Sequence, residues 1–212
     1  MATTVAFTAK GREIVASRLI GSTPSQAEPK NIGWGTGAGT AASSDVAPFT
    51  EATEARVVGT SSQVTTTSTN DTYQVTGTLT SASSQTITET FLSDSSSKPA
   101  STTLSAAVSS ASATSITVAS AAGFPGSGNF HLQVDSEVMT VTAGQGTTTW
   151  TVTRGVNGSA ATTHSSGATV TAGNAPGSGS VTNGSLFVHA SFTGLALNAG
   201  DSLTATTKLS FS

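Results

Sequence analysis

The sequence predicts a mainly β fold: an antiparallel β-sandwich or barrel-like body with one N-terminal helix and a second, inserted β domain. About a third of the 212 residues are serine or threonine, and they alternate with β-branched or aromatic residues in short runs. This period of two is typical of strands with one buried face. Four runs show it: TYQVTGTLT (72–80), SITVAS (115–120), TTTWTVT (147–153) and SLTATTKLSF (202–211).

Length and composition limit what the chain can be. A chain of 212 residues can form one large or two small domains with a substantial core. It contains no cysteine, so stability must come from packing and subunit association rather than from disulfides or a thiolate metal site. Only 9% of residues are charged and the eight Lys and Arg are scattered, which excludes a basic patch for nucleic acid. The first 21 residues contain no apolar run of membrane-spanning length, so we expect no membrane contact and synthesis in a cytoplasm.

One amphipathic helix is expected over residues 8–20, with Thr8 as its N-cap and Gly21 as its stop. Its apolar stripe comprises Ile14, Val15, Ala16, Leu19 and Ile20, and the opposite face carries Lys10, Arg12, Glu13 and Arg18. A single short helix is marginal alone, so the stripe must be buried against a sheet or a partner. We therefore expect the N-terminal segment to act as an attachment arm whose partner-binding residues are Ile14, Val15, Arg18 and Leu19, joined by Trp34.

The glycine-rich run IGWGTGAGT (32–40) predicts a closely packed strand and loop anchored by Trp34. Its glycine spacing does not fit a dinucleotide fingerprint, and no phosphate-loop lysine follows. Residues 54–92 then predict a three-strand antiparallel meander.

The amino-acid composition changes at two linkers rich in Ser, Gly and Pro, residues 93–101 and 174–185. They indicate an inserted β module over 101–174, with the body formed by residues 1–100 together with 175–212. Insertions are best tolerated at loop tips. One continuous sandwich remains the alternative.

The sequence offers no constellation for catalysis. His131, His164 and His189 lack ligand-type neighbours at metal-binding spacing, so each is expected on a surface or strand face. Asp135 and Glu137 could in principle form a glycosidase-like carboxylate pair, but no aromatic cluster surrounds them, which favours a solvated strand end or hairpin shoulder. We therefore expect no enzyme activity, no cofactor and no metal.

Two sets of segments carry a family resemblance. NIGWGTGAGT, EARVVGTSSQVTTTSTNDTYQVTGTLT, QTITETFLSD and LFVHASFTGLALNAGDSLTATTKLSFS resemble small β-rich virion structural proteins of tailed bacteriophages. The central segment, most distinctive in GFPGSGNFHLQVDSEVMTV and WTVTRG, is similar to a mobile β module inserted in phage head and tail proteins. The resemblance implies assembly into a virion, exposed on the particle surface, with the major capsid protein or another virion protein as partner.

Two functions fit this resemblance. A capsid decoration protein needs a compact body, a gripping segment and a symmetric oligomer, and the chain lacks the heptads or short repeats of a fibre. Decoration of a phage head is therefore the first expectation. The alternative is a tail- or head-fibre-associated adhesion protein whose inserted module binds host surface glycans. A homo-oligomer is expected in either case, as a trimer, with its interface on the closing strand at Leu203, Leu209 and Phe211.

Overall fold

The computed structural model describes residues 3–21, 26–177 and 184–211, and within them the chain forms one helix and fourteen strands. In chain order the elements are β1 (Thr3–Phe7), α1 (Ala9–Leu19), β2 (Asn31–Gly35), β3 (Val57–Val58), β4 (Thr60–Val64), β5 (Thr72–Thr80), β6 (Gln85–Ser93), β7 (Ser101–Thr103), β8 (Ser115–Thr117), β9 (Phe130–Val134), β10 (Glu137–Ala143), β11 (Thr149–Thr153), β12 (Thr169–Gly173), β13 (Leu186–Leu197) and β14 (Ser202–Ser210).

The strands form three antiparallel sheets. Sheet I has the order β1-β13-β6-β2-β3, sheet II has the order β14-β5-β4, and sheet III has the order β7-β12-β9-β10-β11-β8. All four alternating runs contain strands, and β5 has the predicted bounds. The prediction of a mainly β fold with a single N-terminal helix is confirmed.

Sheets I and II share one hydrophobic core, which makes the body a sandwich. The fully buried members of this cluster come from α1, from both sheets and from the loop after β2: Ile14, Ile32, Trp34, Ala52, Val75, Leu79, Ile87, Leu92, Phe187 and Val188. In sheet II the alternation decides the inner face, since Val75 and Leu79 of β5 are buried while Thr78 and Thr80 are exposed. The period-two pattern therefore identifies the core residues here.

The meander predicted for residues 54–92 is wrong in one respect. β4 and β5 do form a hairpin, but β6 pairs with β2 and β13 in sheet I. The chain crosses from one sheet to the other after β5. This crossing places Leu79 and Ile87 in the same core, whereas a third strand beside β5 would have extended sheet II and left the core uncovered.

The helix forms almost where it was predicted. Thr8 has extended backbone angles, and its hydroxyl accepts a hydrogen bond from Gly11 N at 2.9 Å, as an N-cap residue does. Gly21 ends the turn at φ 73°, a left-handed conformation that favours glycine. Gly11 lies so close to β13 that a Cβ there would come within 2.4 Å of Phe187 O.

The side of the helix that packs on the body differs from the predicted apolar stripe. The side that packs on the body contains Lys10, Gly11 and Ile14, while Leu19 and Ile20 are 81% and 79% exposed. Lys10 is buried although its ammonium group reaches Glu13 Oε1 at 3.0 Å. The close approach of Gly11 to β13 selects this side, because only a residue without a Cβ allows the backbones so near to each other.

The N-terminal segment is also part of the body and not a free arm. β1 pairs over its whole length with β13, from Thr3–Phe192 to Phe7–Val188, and Ile14 lies in the shared core. Removal of the first 21 residues would therefore expose β13 and open the core. Attachment to a partner must be tested by changing single exposed side chains.

Sheet III contains only residues between 101 and 173 and has its own core. Its fully buried members are Leu104, Val108, Ile116, Val118, Phe124, Phe130, Leu132, Val134, Met139, Val141, Trp150, Val152, Val170 and Ala172. This core is separate from the cluster of the body. The second predicted linker falls partly on residues 178–183, which lie outside the described residues.

We predict that residues 101–174, produced alone, unfold in one cooperative thermal transition, because their core is complete without residues of the body. The transition can be followed by circular dichroism and calorimetry. A sloping, non-cooperative melt would contradict the prediction and favour one continuous sandwich instead.

Candidate partner-binding groove

The structure brings most of the predicted partner residues together in one apolar groove of about 490 Å³ between α1 and the end of sheet II. Its lining comprises Ile14, Val15, Arg18, Leu19, Glu28, Pro29, Tyr73, Phe187, Leu209 and Phe211. Four of these residues were predicted as partner contacts on the helix, and two were predicted as an oligomer interface. In the structure they form a single surface, which we call the α1 groove.

Aromatic rings form the floor of the α1 groove. Phe187 makes an edge contact with Phe7 at 5.1 Å between ring centroids and a second with Tyr73 at 6.4 Å. The Tyr73 hydroxyl donates to Pro29 O at 3.0 Å and lies 3.3 Å from Glu28 Oε1. Burial, together with the negative charge of Glu28, raises the pKa of Tyr73 above its ordinary value. The hydroxyl therefore stays protonated and fixes the segment 28–29 against sheet II.

The rim of the groove is apolar and open to solvent. Leu19, in the last turn of α1, and Phe211, just beyond β14, line the groove and are 81% and 59% exposed. Two charged groups border it: Arg18 donates to Gln26 O at 3.3 Å, and Glu28 pairs with Lys30 at 2.9 Å. A cluster of exposed large apolar side chains with a polar border is typical of a protein interaction site.

Four of the predicted contacts belong to the body core or pack against it: Ile14, Trp34, Leu203 and Leu209. Trp34 is 1% exposed and lies in the body core, where its indole N–H donates to Glu54 Oε2 at 3.3 Å, so it cannot contact a partner. Leu203 and Leu209 point inward and pack against the same core. Their alternation in β14 marks the inner face of sheet II, and of the predicted interface residues Phe211 alone is largely exposed.

A buried network fixes the long loop between β2 and β3, residues 36–56. His189 lies between two fully buried carboxylates, with Nδ1 2.7 Å from Asp45 Oδ2 and Nε2 2.8 Å from Glu89 Oε2. Glu89 also accepts from the backbone N–H groups of Gly37, Phe49 and Thr50. Burial alone would lower the pKa of His189, but hydrogen bonds and charge from both carboxylates raise it to about 9. The imidazole is therefore a cation at neutral pH.

The same loop connects the body to sheet III. Gln133 of β9 accepts from Val46 N at 2.8 Å and from Ala47 N at 3.0 Å, and its amide donates to Asp45 Oδ1 at 3.2 Å. Asn157 donates to Ser44 O at 2.7 Å. The orientation of His189 in the body is thus linked, through Asp45, to the side chain of Gln133 in sheet III.

A second network of the same kind lies inside sheet III. His164 contacts Asp135 Oδ2 at 2.7 Å and Glu137 Oε2 at 2.8 Å, and Arg154 binds both oxygens of Glu137 at 2.7 Å. Burial would raise the pKa of Glu137, but hydrogen bonds from His164, Arg154 and two backbone N–H groups lower it to about 2. These bonds use the acceptor positions of the buried carboxylate and leave none for a substrate.

Sequence reasoning missed both networks. His164 and His189 were expected on a surface or a strand face; His189 does lie on β13, but the two side chains are 4% and 0% exposed and bonded to carboxylates. Of the pair at Asp135 and Glu137, only Asp135 is at an exposed hairpin turn, with φ 51°, while Glu137 is buried. The partners of His189 are 100 and 144 residues away in the chain, so no local spacing could have indicated them.

Among residues 3–21, 26–177 and 184–211, no group of three or more His, Asp or Glu side chains is arranged to hold a metal ion, and no helix is long and apolar enough to cross a membrane. Comparisons with protein-family models, curated proteins and solved structures found no match for this chain.

Proposed function

We propose that this protein is a non-enzymatic structural component of a bacteriophage particle, a decoration protein that binds the outer surface of the head through the α1 groove. The observation that carries the proposal is the groove itself. It presents Leu19 and Phe211 to solvent on a body whose neighbouring sheet surface is covered by threonine and serine. An apolar segment of the major capsid protein is the partner that this chemistry suits.

The buried networks support a structural function. Catalytic acids and bases need access to a substrate, whereas Glu89, Glu137 and His189 are fully buried and each is bonded to several groups of the protein. Networks of this kind hold loops in one geometry. A particle component exposed to the environment and without disulfides benefits from such rigidity.

No observation favours the glycan-binding alternative. A sugar platform needs exposed aromatic rings, and the three rings of residues 101–174 are Phe124, Phe130 and Trp150, which lie within van der Waals range of each other in the core of sheet III.

We predict that Leu19→Asp abolishes loading of the purified protein onto phage heads that lack it, while leaving the unfolding temperature unchanged. Leu19 is largely exposed, so a carboxylate at this position hardly changes the stability of the body. When the groove binds its partner, however, that carboxylate would be buried without a counter-charge, which is unfavourable. The matched control is Val58→Asp, which is also largely exposed but lies on β3 at the opposite edge of sheet I from β1. Co-sedimentation with heads measures the loading.

Equal loading of Leu19→Asp and Val58→Asp would show that the groove is not the attachment site. Imaging of labelled particles tests the location independently. Signal distributed over the head agrees with decoration, and signal at one end of the particle contradicts it.

A further inference from the structure

β14 is an unusually regular edge strand. It pairs with β5 over nine consecutive residues, from Ser202–Thr80 to Ser210–Thr72, without a bulge, and no other strand in the described part of the chain pairs with it. The remaining edge strands are β1, β3, β4, β7 and β8, which contain between two and five residues. β14 therefore presents the longest unpaired strand edge in the described residues.

The backbone groups at this free edge can be assigned. Ser81 N donates to Asp201 O and Phe211 N donates to Asp71 O, both at 2.9 Å, so the odd-numbered residues of β14 face β5. Alternate residues of an antiparallel strand direct their N–H and C=O groups to opposite sides. The free edge is consequently formed by residues 202, 204, 206, 208 and 210.

The usual protection of a strand edge is weak here. Natural sheets block their edges with proline, bulges, short strands or several charges. β14 has no proline and no bulge, and it contains a single charged residue, Lys208. Such an edge pairs readily with another strand.

We propose that two copies of this chain pair through β14, antiparallel and across a two-fold axis at Thr206, to form one continuous six-stranded sheet from the two copies of sheet II. This inference does not depend on the proposed function, and it replaces the trimer expected from the sequence, because an antiparallel pairing of one edge with itself closes under a two-fold axis.

The sequence of β14 is complementary to itself in this register. Pairing centred on Thr206 overlaps all nine residues and places Ser202 opposite Ser210, Thr204 opposite Lys208, and Leu203 opposite Leu209. On the outer side every facing pair then contains at least one hydroxyl, and on the inner side leucine faces leucine. The two Lys208 side chains are four residues apart along the pair, about 13 Å, so like charges do not meet. If the two-fold axis moved by one residue in either direction, Leu203 would no longer lie opposite Leu209.

The α1 groove is continuous with this interface. Leu209 and Phe211 line the groove, and the proposed register brings the partner's Leu203 beside Leu209, at the groove end next to the strand. The dimer would thus cover part of the apolar surface around Phe211, while Leu19 stays available on the α1 side of the groove.

Disulfide cross-linking tests the register. The chain has no cysteine, so each single-cysteine variant gives an unambiguous result. In Thr206→Cys the two Cα atoms would face each other at about 5.5 Å, within the range of a disulfide, and mild oxidation should give a covalent dimer. Thr204→Cys is the matched control: it is equally exposed on β14, but its copy would be about 13 Å away, and it should remain monomeric on a denaturing gel.

A charge exchange at Thr204 tests the same register without cross-linking. Thr204→Glu would place a negative charge opposite Lys208 of the other copy, and Thr204→Lys would place a second positive charge there. Both variants lose the same hydroxyl contact with Thr78, at 2.8 Å, so effects within one chain largely cancel. By analytical ultracentrifugation we expect the glutamate to tighten the dimer about two- to ten-fold and the lysine to weaken it by a similar factor.

The outcomes separate clearly. A dimer in light scattering that responds in opposite directions to the two charges supports the proposal. A monomer at every soluble concentration, a trimer, or cross-linking of Thr204→Cys as efficient as that of Thr206→Cys overturns it.

Discussion

Replacement of His189 by alanine is expected to destabilise the protein by about 3–5 kcal/mol, as the loss of one partner from a buried ion pair does. The variant would leave Asp45 and Glu89 buried at the same site without the cation that lies between them. The loop of residues 36–56 would lose its anchor, and with it the contact of Asp45 with Gln133. Guanidinium unfolding at pH 7 measures the effect.

The histidine at position 131 provides the control. His131 lies on β9 and is only half-buried, no carboxylate contacts it among the described residues, and burial lowers its pKa. His131→Ala should cost about 1 kcal/mol or less, as most changes away from buried networks do. Similar losses of unfolding free energy for His189→Ala and His131→Ala would show that the ion network does not stabilise the protein more than an ordinary side chain does.

The effect of His189 should also depend on pH. Its pKa is about 9 in the folded protein and 6.5 in its ordinary state, so folding favours the protonated imidazole. The resulting stabilisation is complete below pH 6.5 and is lost as the pH rises through 9. This rise of the His189 pKa corresponds to about 3 kcal/mol in the free energy of unfolding. The difference in unfolding free energy between the native protein and His189→Gln should therefore shrink between pH 6.5 and 9.5, and a constant difference would contradict the assignment of the charge.

Replacement of Trp150 by alanine is expected to cost about 3–5 kcal/mol in the stability of sheet III, as other large aromatic truncations do. The ring is fully buried, and its centroid is 5.0 Å from that of Phe124 and 5.5 Å from that of Phe130. The indole N–H donates to Thr147 O at 2.7 Å. Truncation would leave a cavity at the centre of this core and an unpaired carbonyl in the turn before β11.

The two tryptophans make this experiment specific. The body contains Trp34 and sheet III contains Trp150, so in the Trp150 variants fluorescence reports the body alone, while circular dichroism reports both cores. Trp150→Phe is the conservative control, since it keeps most of the apolar area, and it should cost less than half as much. A loss below about 1 kcal/mol for Trp150→Ala would be incompatible with a ring at the centre of the core.

The sequence by itself determined that the protein is mainly β, with one helix near the N-terminus. β5, β8, β11 and β14 follow from alternation, because a strand with one buried face must repeat with a period of two. The N-cap Thr8 and the stop at Gly21 delimited α1 through local backbone chemistry. The composition changes near residues 93–101, and in the structure β6 ends at Ser93 and β7 begins at Ser101.

Only the tertiary structure decided which faces became surfaces and which polar groups became buried. The stripe on α1 predicted that Leu19 packs on a sheet or a partner, and the close contact of Gly11 with β13 turned Leu19 away from the body and buried Lys10. Leu209 and Phe211 joined α1 in one groove because sheet II ends beside the helix. The physical reason is distance along the chain. Asp45 and Glu89 lie 144 and 100 positions before His189, and their pairing depends on how the sheets stack, which no local pattern encodes.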